Sequence, residues 1–142
     1  MRTEAIRTWS RIHTVLFQVT RGRIGRHARG MDYLLLTTTG RRSGKNHTVP
    51  LLYLTDGSNL AVIASLGGKP RHPDWFHNLA KDPNVTVQVA GERFAAMARE
   101  AGTEERARLW LQAVAVWPDY EEYQKRTERL IPVVILERTP PL

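Results

Sequence analysis

Apolar and polar positions follow three different rhythms along this chain. Residues 4–20 set Ile6, Trp9, Ile12, Leu16 and Val19 three to four apart, with Arg7 and Arg11 among them, which is the spacing of an amphipathic helix. Two fates fit that segment. It can dock on the domain, or lie on an anionic membrane surface as a basic amphipathic helix. Arg21 to Gly30, with Gly22, Gly25 and Gly30, reads as a linker, so the core begins near Asp32. From there the period changes. Leu34–Thr39 is a short apolar and β-branched run closed by Gly40, and His47–Leu54 is a second run, so both are predicted strands. Pro50 lies inside the second run and predicts an edge strand or a local bulge, because proline has no N–H for a ladder.

Asp56-Gly57-Ser58 marks a tight turn, and Asn59–Ser65 returns as a third strand. A short helix is predicted over Pro73–Ala80, with proline in its first turn. Val85, Val87 and Val89 alternate with polar residues, and Ala90-Gly91 turns that strand back into a partner over Arg93–Arg99. Thr103, a hydroxyl N-cap candidate, opens a helix to Val116; Asp119 caps another carrying Tyr120 and Tyr123; Val133–Leu136 closes the chain as a strand. Hairpin-linked strands with few crossover helices predict an antiparallel β-barrel flanked by helices, an α+β fold, rather than a doubly wound sheet. Domain organisation follows: a basic N-terminal helix and linker over 1–30, then one domain over 31–142.

Composition narrows the chemistry. The chain has no cysteine, which excludes disulfides, thiol catalysis and thiolate metal sites. No two of its five histidines are four residues apart, so no metal site is expected. No apolar stretch reaches the ~18 residues of a spanning helix, and the default expectation is a cytoplasmic protein, peripheral at the membrane if the first helix lies there. The net charge of +7 is lopsided: residues 1–30 hold seven Arg and one Glu, a net +6, while the remainder is close to neutral. A nucleic-acid face over the whole domain is therefore not expected.

The loop Gly40-Arg41-Arg42-Ser43-Gly44-Lys45 packs three cations, a hydroxyl and two glycines into six residues. Glycines let backbone N–H groups approach a ligand, and guanidinium forks match phosphate or carboxylate oxygens. A solvated hairpin tip has the same composition, so the loop alone does not decide. It is not a nucleotide P-loop, since three residues rather than four separate its glycines and Asn46 follows Lys45. Trp117, Tyr120 and Tyr123 form an i, i+3 aromatic stripe on a helix otherwise rich in charge, which predicts the wall of a groove rather than core packing alone.

Taken together, Leu36-Thr37-Thr38-Thr39-Gly40-Arg41-Arg42-Ser43-Gly44, Pro50-Leu51, Ser65 with Gly67-Gly68, Pro73-x-Trp75-x-x-Asn78-Leu79-x-x-x-Pro83, Trp117-Pro118-x-Tyr120-x-x-Tyr123 and Ile131-Pro132-Val133 resemble the deazaflavin-dependent nitroreductase family. These are the coenzyme F420-binding members of the flavin/deazaflavin oxidoreductases. The resemblance spans about residues 30–138. It implies an antiparallel split β-barrel, usually a homodimer, with F420 rather than FMN as cofactor and a small-molecule acceptor. It assigns Arg41, Arg42, Ser43 and Gly44 to the coenzyme's phosphate and acidic tail. His47, Thr48, Val49, Pro50, Leu51 and Leu52 would line the cofactor groove. Ala64 and Ser65, with Leu66 and Gly67 beside them, would meet the deazaflavin ring, and Asp74, Trp75 and Asn78 would form the opposite wall. Tyr120, Tyr123 and Ser65 would be the catalytic groups. The implied reaction moves a hydride from reduced F420 to a quinone, enone or nitroaromatic. The chain departs from the family pattern at His47, Leu52, Leu66 and Trp117; Leu52 and Trp117 make the acceptor side more apolar and shift the expected acceptors toward quinones and enones. A carrier that binds the same coenzyme or a related anionic cofactor without turnover, and a basic module binding nucleic acid or lipid through residues 1–30, are the other two function classes the sequence admits.

Overall fold

The computed structural model describes residues 27–28 and 31–140; the predicted helix over 4–20 lies outside them. Among the described residues there are seven strands: β1 (His27–Ala28), β2 (Met31–Thr39), β3 (Asn46–Asp56), β4 (Asn59–Ile63), β5 (Asn84–Val89), β6 (Glu92–Glu100) and β7 (Val133–Arg138). The described residues also form α-helices α1 (Asp74–Lys81), α2 (Thr103–Val116) and α3 (Asp119–Lys125), with a 3-10 turn at Leu66–Gly68. The strand order is β1-β2-β3-β4-β7-β6-β5, every pairing antiparallel, and β2 also pairs with β5. That last pairing closes six strands into a barrel, as the hairpin pattern predicts. The two-residue β1 pairs with Met31 and Asp32 inside what the sequence reads as linker.

Strand periodicity divides the barrel's side chains into two layers. Leu34, Leu36, Val62, Ala64, Val85, Val87, Ala96, Ala98 and Leu136 point inward and make the barrel core with Trp75 and Leu79 of α1. Their neighbours Leu54, Ala61, Ile63, Val133 and Ile135 point outward, where Leu109 and Ala113 of α2, Tyr120 of α3 and Ile131 cover them. Each fully buried Leu, Ile or Val side chain contributes roughly 1.5–3 kcal/mol, so the second layer is what fixes α2 and α3 against the sheet.

Two helix caps differ from expectation, and the edge expected at Pro50 is present locally: β3 sits between β2 and β4, and Pro50 pairs with Leu35. The proline is tolerated because β4 reaches only Tyr53–Asp56, which leaves Asn46–Leu52 paired on one side only. Thr103 is not the N-cap of α2; Gly102 is, and its N–H donates to Glu105 Oε1 at 3.0 Å. Asp119 follows the capping Pro118 and lies in the first turn of α3, where a carboxylate still favours the helix dipole. The predicted β5–β6 turn is present, with Ala90 and Gly91 both at positive φ (52° and 82°), the geometry of a tight two-residue hairpin.

Candidate active site

The site occupies the place where the barrel splits. β4 stops pairing with β3 at Tyr53, and the chain leaves the sheet through residues 64–73. Between that departing segment, the half-paired edge of β3 and α3 lies a groove of about 300 Å³. Pro50, Leu51 and Leu52 form one side, Ser65, Leu66, Gly67, Pro73 and Trp75 another, and Trp117, Tyr120 and Tyr123 a third, with Tyr33 and Ile63 completing it. The aromatic stripe is thus a groove wall, as its polar setting predicts. Tyr33, Ile63 and Pro73 were not legible as site residues. Tyr33 and Leu52 are cross-strand partners, so the strand register would have found the tyrosine.

Tyr120 is the most enclosed group that faces this space. It is only 4% exposed, its ring packs edge-on to Tyr123 at 6.0 Å and against Trp110 at 6.1 Å, and its hydroxyl has no hydrogen-bond partner among the described residues. Burial, then the neighbouring Tyr123 and Tyr33, push its pKa well above the usual phenol value. The group therefore stays protonated and can only be satisfied by something in the groove. Ser65 Oγ, half-exposed on the facing wall, is likewise without a partner among the described residues, whereas its carbonyl accepts from Gly68 and Arg129.

The cationic loop between β2 and β3 is held by α1. Asn78, 4% exposed, accepts from Arg41 N–H at 3.1 Å and from Arg41 Nη1 at 3.0 Å, and donates through Nδ2 to buried Thr38 Oγ1 at 3.2 Å. Lys81 Nζ donates to Arg41 O at 2.7 Å, and Arg41 reaches the carbonyl and carboxylate of Asp74 at 3.4 Å. Arg41, Asp74 and Asn78 are thus committed to one another as a bracket. Arg42 and Lys45 are exposed, and their side chains make no hydrogen bond or ion pair among the described residues. Ser43 Oγ accepts from Lys45 N–H at 3.1 Å. A methyl at Gly40 would come within 2.8 Å of the His47 ring and 2.7 Å of Ser43 Oγ, so this glycine is what lets those two side chains fold over the loop. Gly44 takes a left-handed φ of 71° there.

Not every residue assigned by resemblance reaches the groove with its side chain. Thr48 bonds Thr37 Oγ1 at 2.7 Å and lines a separate polar pocket of about 110 Å³ on the barrel's outer face. Val49 packs toward the barrel core and Ala64 is fully buried in it. These three have only main-chain atoms to offer. Among the described residues no group of three His, Asp or Glu could hold a metal ion.

A closed six-stranded barrel, a split lined by aromatics and a cationic loop one helix away define the class as a split-barrel protein. The chain belongs to the F420H(2)-dependent quinone reductase family, whose model matches residues 9–138. An F420H(2)-dependent quinone reductase of Mycobacterium tuberculosis is 39% identical over 132 residues, covering 90% of this chain and 89% of that one. Among solved structures, an F420-H2-dependent reductase is 44% identical with a TM-score of 0.68, covering 74% of this chain and 93% of that chain. A domain-swapped dimer is 38% identical with a TM-score of 0.72, covering 96% of this chain and 100% of that one. The chain is accordingly an F420H2-dependent oxidoreductase with coenzyme F420 as its cofactor.

Proposed function

We propose that the protein uses the groove beneath Tyr120 to reduce a quinone at the expense of reduced F420, with the uncommitted cations of the 40–45 loop holding the coenzyme's charged tail. The residues fit that cofactor. Arg42 and Lys45 are unpaired cations suited to phosphate and carboxylate oxygens, and the groove beside α1 has apolar and aromatic walls suited to a flat ring. Bound reduced F420 supplies the hydride. The chain's own residues need only bind, orient and protonate, which agrees with a site that holds no thiol and no carboxylate pair.

The single observation that carries the reading is the buried, unpartnered hydroxyl of Tyr120. A buried phenol held protonated beside the groove is a donor for an oxygen on which negative charge develops during reduction. Ser65 Oγ on the opposite wall is a second donor, and Tyr123 lines the groove beside Tyr120. Trp117, Leu52 and Ile63 favour an apolar ring on the acceptor. Pro50, Leu51 and Leu52 offer a half-paired strand edge to the cofactor. Arg41 and Asn78 act through the bracket rather than by direct contact.

Mixing the protein with reduced F420 and a quinone should give quinone-dependent loss of the reduced coenzyme. In a binding titration Arg42→Ala should raise the F420 dissociation constant about tenfold or more, the loss of one charge-assisted hydrogen bond of ~1.5–3 kcal/mol. Tight binding with no turnover across quinones, enones and nitroaromatics would select a carrier instead; no binding at all would reject the reading. A homodimer, supported by the domain-swapped relative, should appear as twice the chain mass by light scattering.

A further inference from the structure

Arg129 lines no part of the groove, yet it holds one of its walls. It sits in the irregular stretch between α3 and β7, half-buried. Its guanidinium donates to Ala64 O at 3.1 Å, Ser65 O at 2.6 Å and Lys69 O at 2.8 Å, and to His72 Nδ1 at 3.0 Å. Because arginine can only donate, His72 accepts as the neutral ring with its proton on Nε2. The fork therefore grips both ends of the turn that carries Ser65, Leu66 and Gly67.

That turn needs an external hold. Leu66, Gly67 and Gly68 are three consecutive residues at positive φ (46°, 63° and 81°). The leucine there costs about 1–2 kcal/mol of backbone strain. β4 has ended at Ile63 and α1 has not begun until Asp74, so no strand ladder reaches it. The same network reaches the opposite wall. Gln124, the residue after Tyr123, donates to Arg129 O at 2.8 Å and accepts from Ile131 N–H at 2.9 Å. Arg129 and the Tyr120/Tyr123 helix are thereby fixed to one another.

We propose that Arg129 is a positioning residue for the reduction: its guanidinium holds the Ser65–Gly67 turn at the separation from α3 that lets coenzyme and acceptor sit between them. The proposal rests on the functional reading above, since it assumes that F420 occupies this groove. A planar fork is required because four acceptors must be met at once, which a lysine ammonium cannot reproduce. Displacement of a site wall by an ångström is enough to cost a large factor in rate.

The test compares wild type, Arg129→Met and Arg129→Lys by amide hydrogen exchange in the ligand-free protein, by F420 titration and by steady-state quinone reduction. In Arg129→Met the Gly68 and Lys69 amides, which bond Ser65 O and Leu66 O, should exchange at least about tenfold faster while β2 and β7 keep their protection. F420 affinity should fall about tenfold, the scale of one charged hydrogen bond, and Arg129→Lys should recover part of both losses. Unchanged exchange in the turn overturns the proposal. So does faster exchange with unchanged affinity and turnover, which would make the arginine merely structural. Should Arg129→Met lose protection throughout the barrel, Arg129→Lys decides on the same criteria. Failure of wild type to bind F420 sinks the functional reading instead, and is told apart by occurring without any substitution.

Discussion

At the scale of single residues the site is defined by groups that the rest of the protein leaves unsatisfied. Tyr120 buries a hydroxyl with no partner among the described residues, so replacing it by phenylalanine removes no hydrogen bond. Tyr120→Phe should leave the urea midpoint unchanged or raise it, because a buried polar group without a partner costs about 1–3 kcal/mol. The same change should lower kcat about tenfold or more, with F420 binding little affected. A fall in stability with unchanged kcat would reverse that assignment. Gly68 makes the opposite case, a residue defined by what it lacks. A methyl there would lie 2.5 Å from the carbonyl oxygen of Tyr123, at a φ of 81°. Gly68→Ala should therefore destabilise by about 1–2 kcal/mol or more and weaken acceptor binding, because the strain pushes α3 away from the turn. Parallel urea unfolding and quinone KM measurements check both parts.

At the scale of elements, α1 ties two parts of the site together. Its first turn places Trp75 in the groove while Asp74, Asn78 and Lys81 brace the cationic loop. Arg41 and Arg42, both assigned by resemblance to the coenzyme's tail, differ in setting: Arg41 is engaged by the bracket and Arg42 is not. Asn78→Ala should strand the Arg41 N–H and the Thr38 hydroxyl, costing about 1–3 kcal/mol in chemical denaturation. Arg42→Ala should cost almost no stability. The loop's glycines and cations were legible in the sequence because composition marks them. The bracket was not, because Asn78 lies 37 residues from Arg41 and 40 from Thr38, and only the barrel brings them together.

At the scale of the molecule, the barrel is complete on one side and split on the other, and the split is where chemistry is possible. The segment crossing it also couples stability to pH. Burial first, then the charges of Arg129 and His77, hold His72 below its ordinary value of 6.5, with Glu100 opposing them. As pH falls through 6.5 the unfolded chain takes up a proton that the folded ring resists. The contribution is thus whole above that pH and declines until the folded His72 itself titrates. Unfolding free energy should consequently drop more steeply between pH 7.5 and 5 in wild type than in His72→Gln; identical slopes would remove His72 from the balance. Among the described residues no helix is long and apolar enough to cross a membrane.

Alternation and turn chemistry by themselves determined strands β2 to β7, the hairpins and the three helices, because each depends on neighbours a few positions away; the pairing of β2 with β5 that closes the barrel joins residues about 50 positions apart. The cationic loop and the aromatic stripe were equally readable, as residue types concentrated in short segments. Only the tertiary structure decided which member of each motif is free. It spent Arg41 on α1, placed Thr48 in a separate pocket farther along the sheet, and left Tyr120 without a partner. It also recruited Arg129, whose sequence neighbourhood looks like any charged connection, because its acceptors are carbonyls about 60 residues earlier in the chain. Periodicity is a local property and survives in the sequence. Satisfaction of a hydrogen bond across a barrel depends on which strands meet, and it exists only once they have.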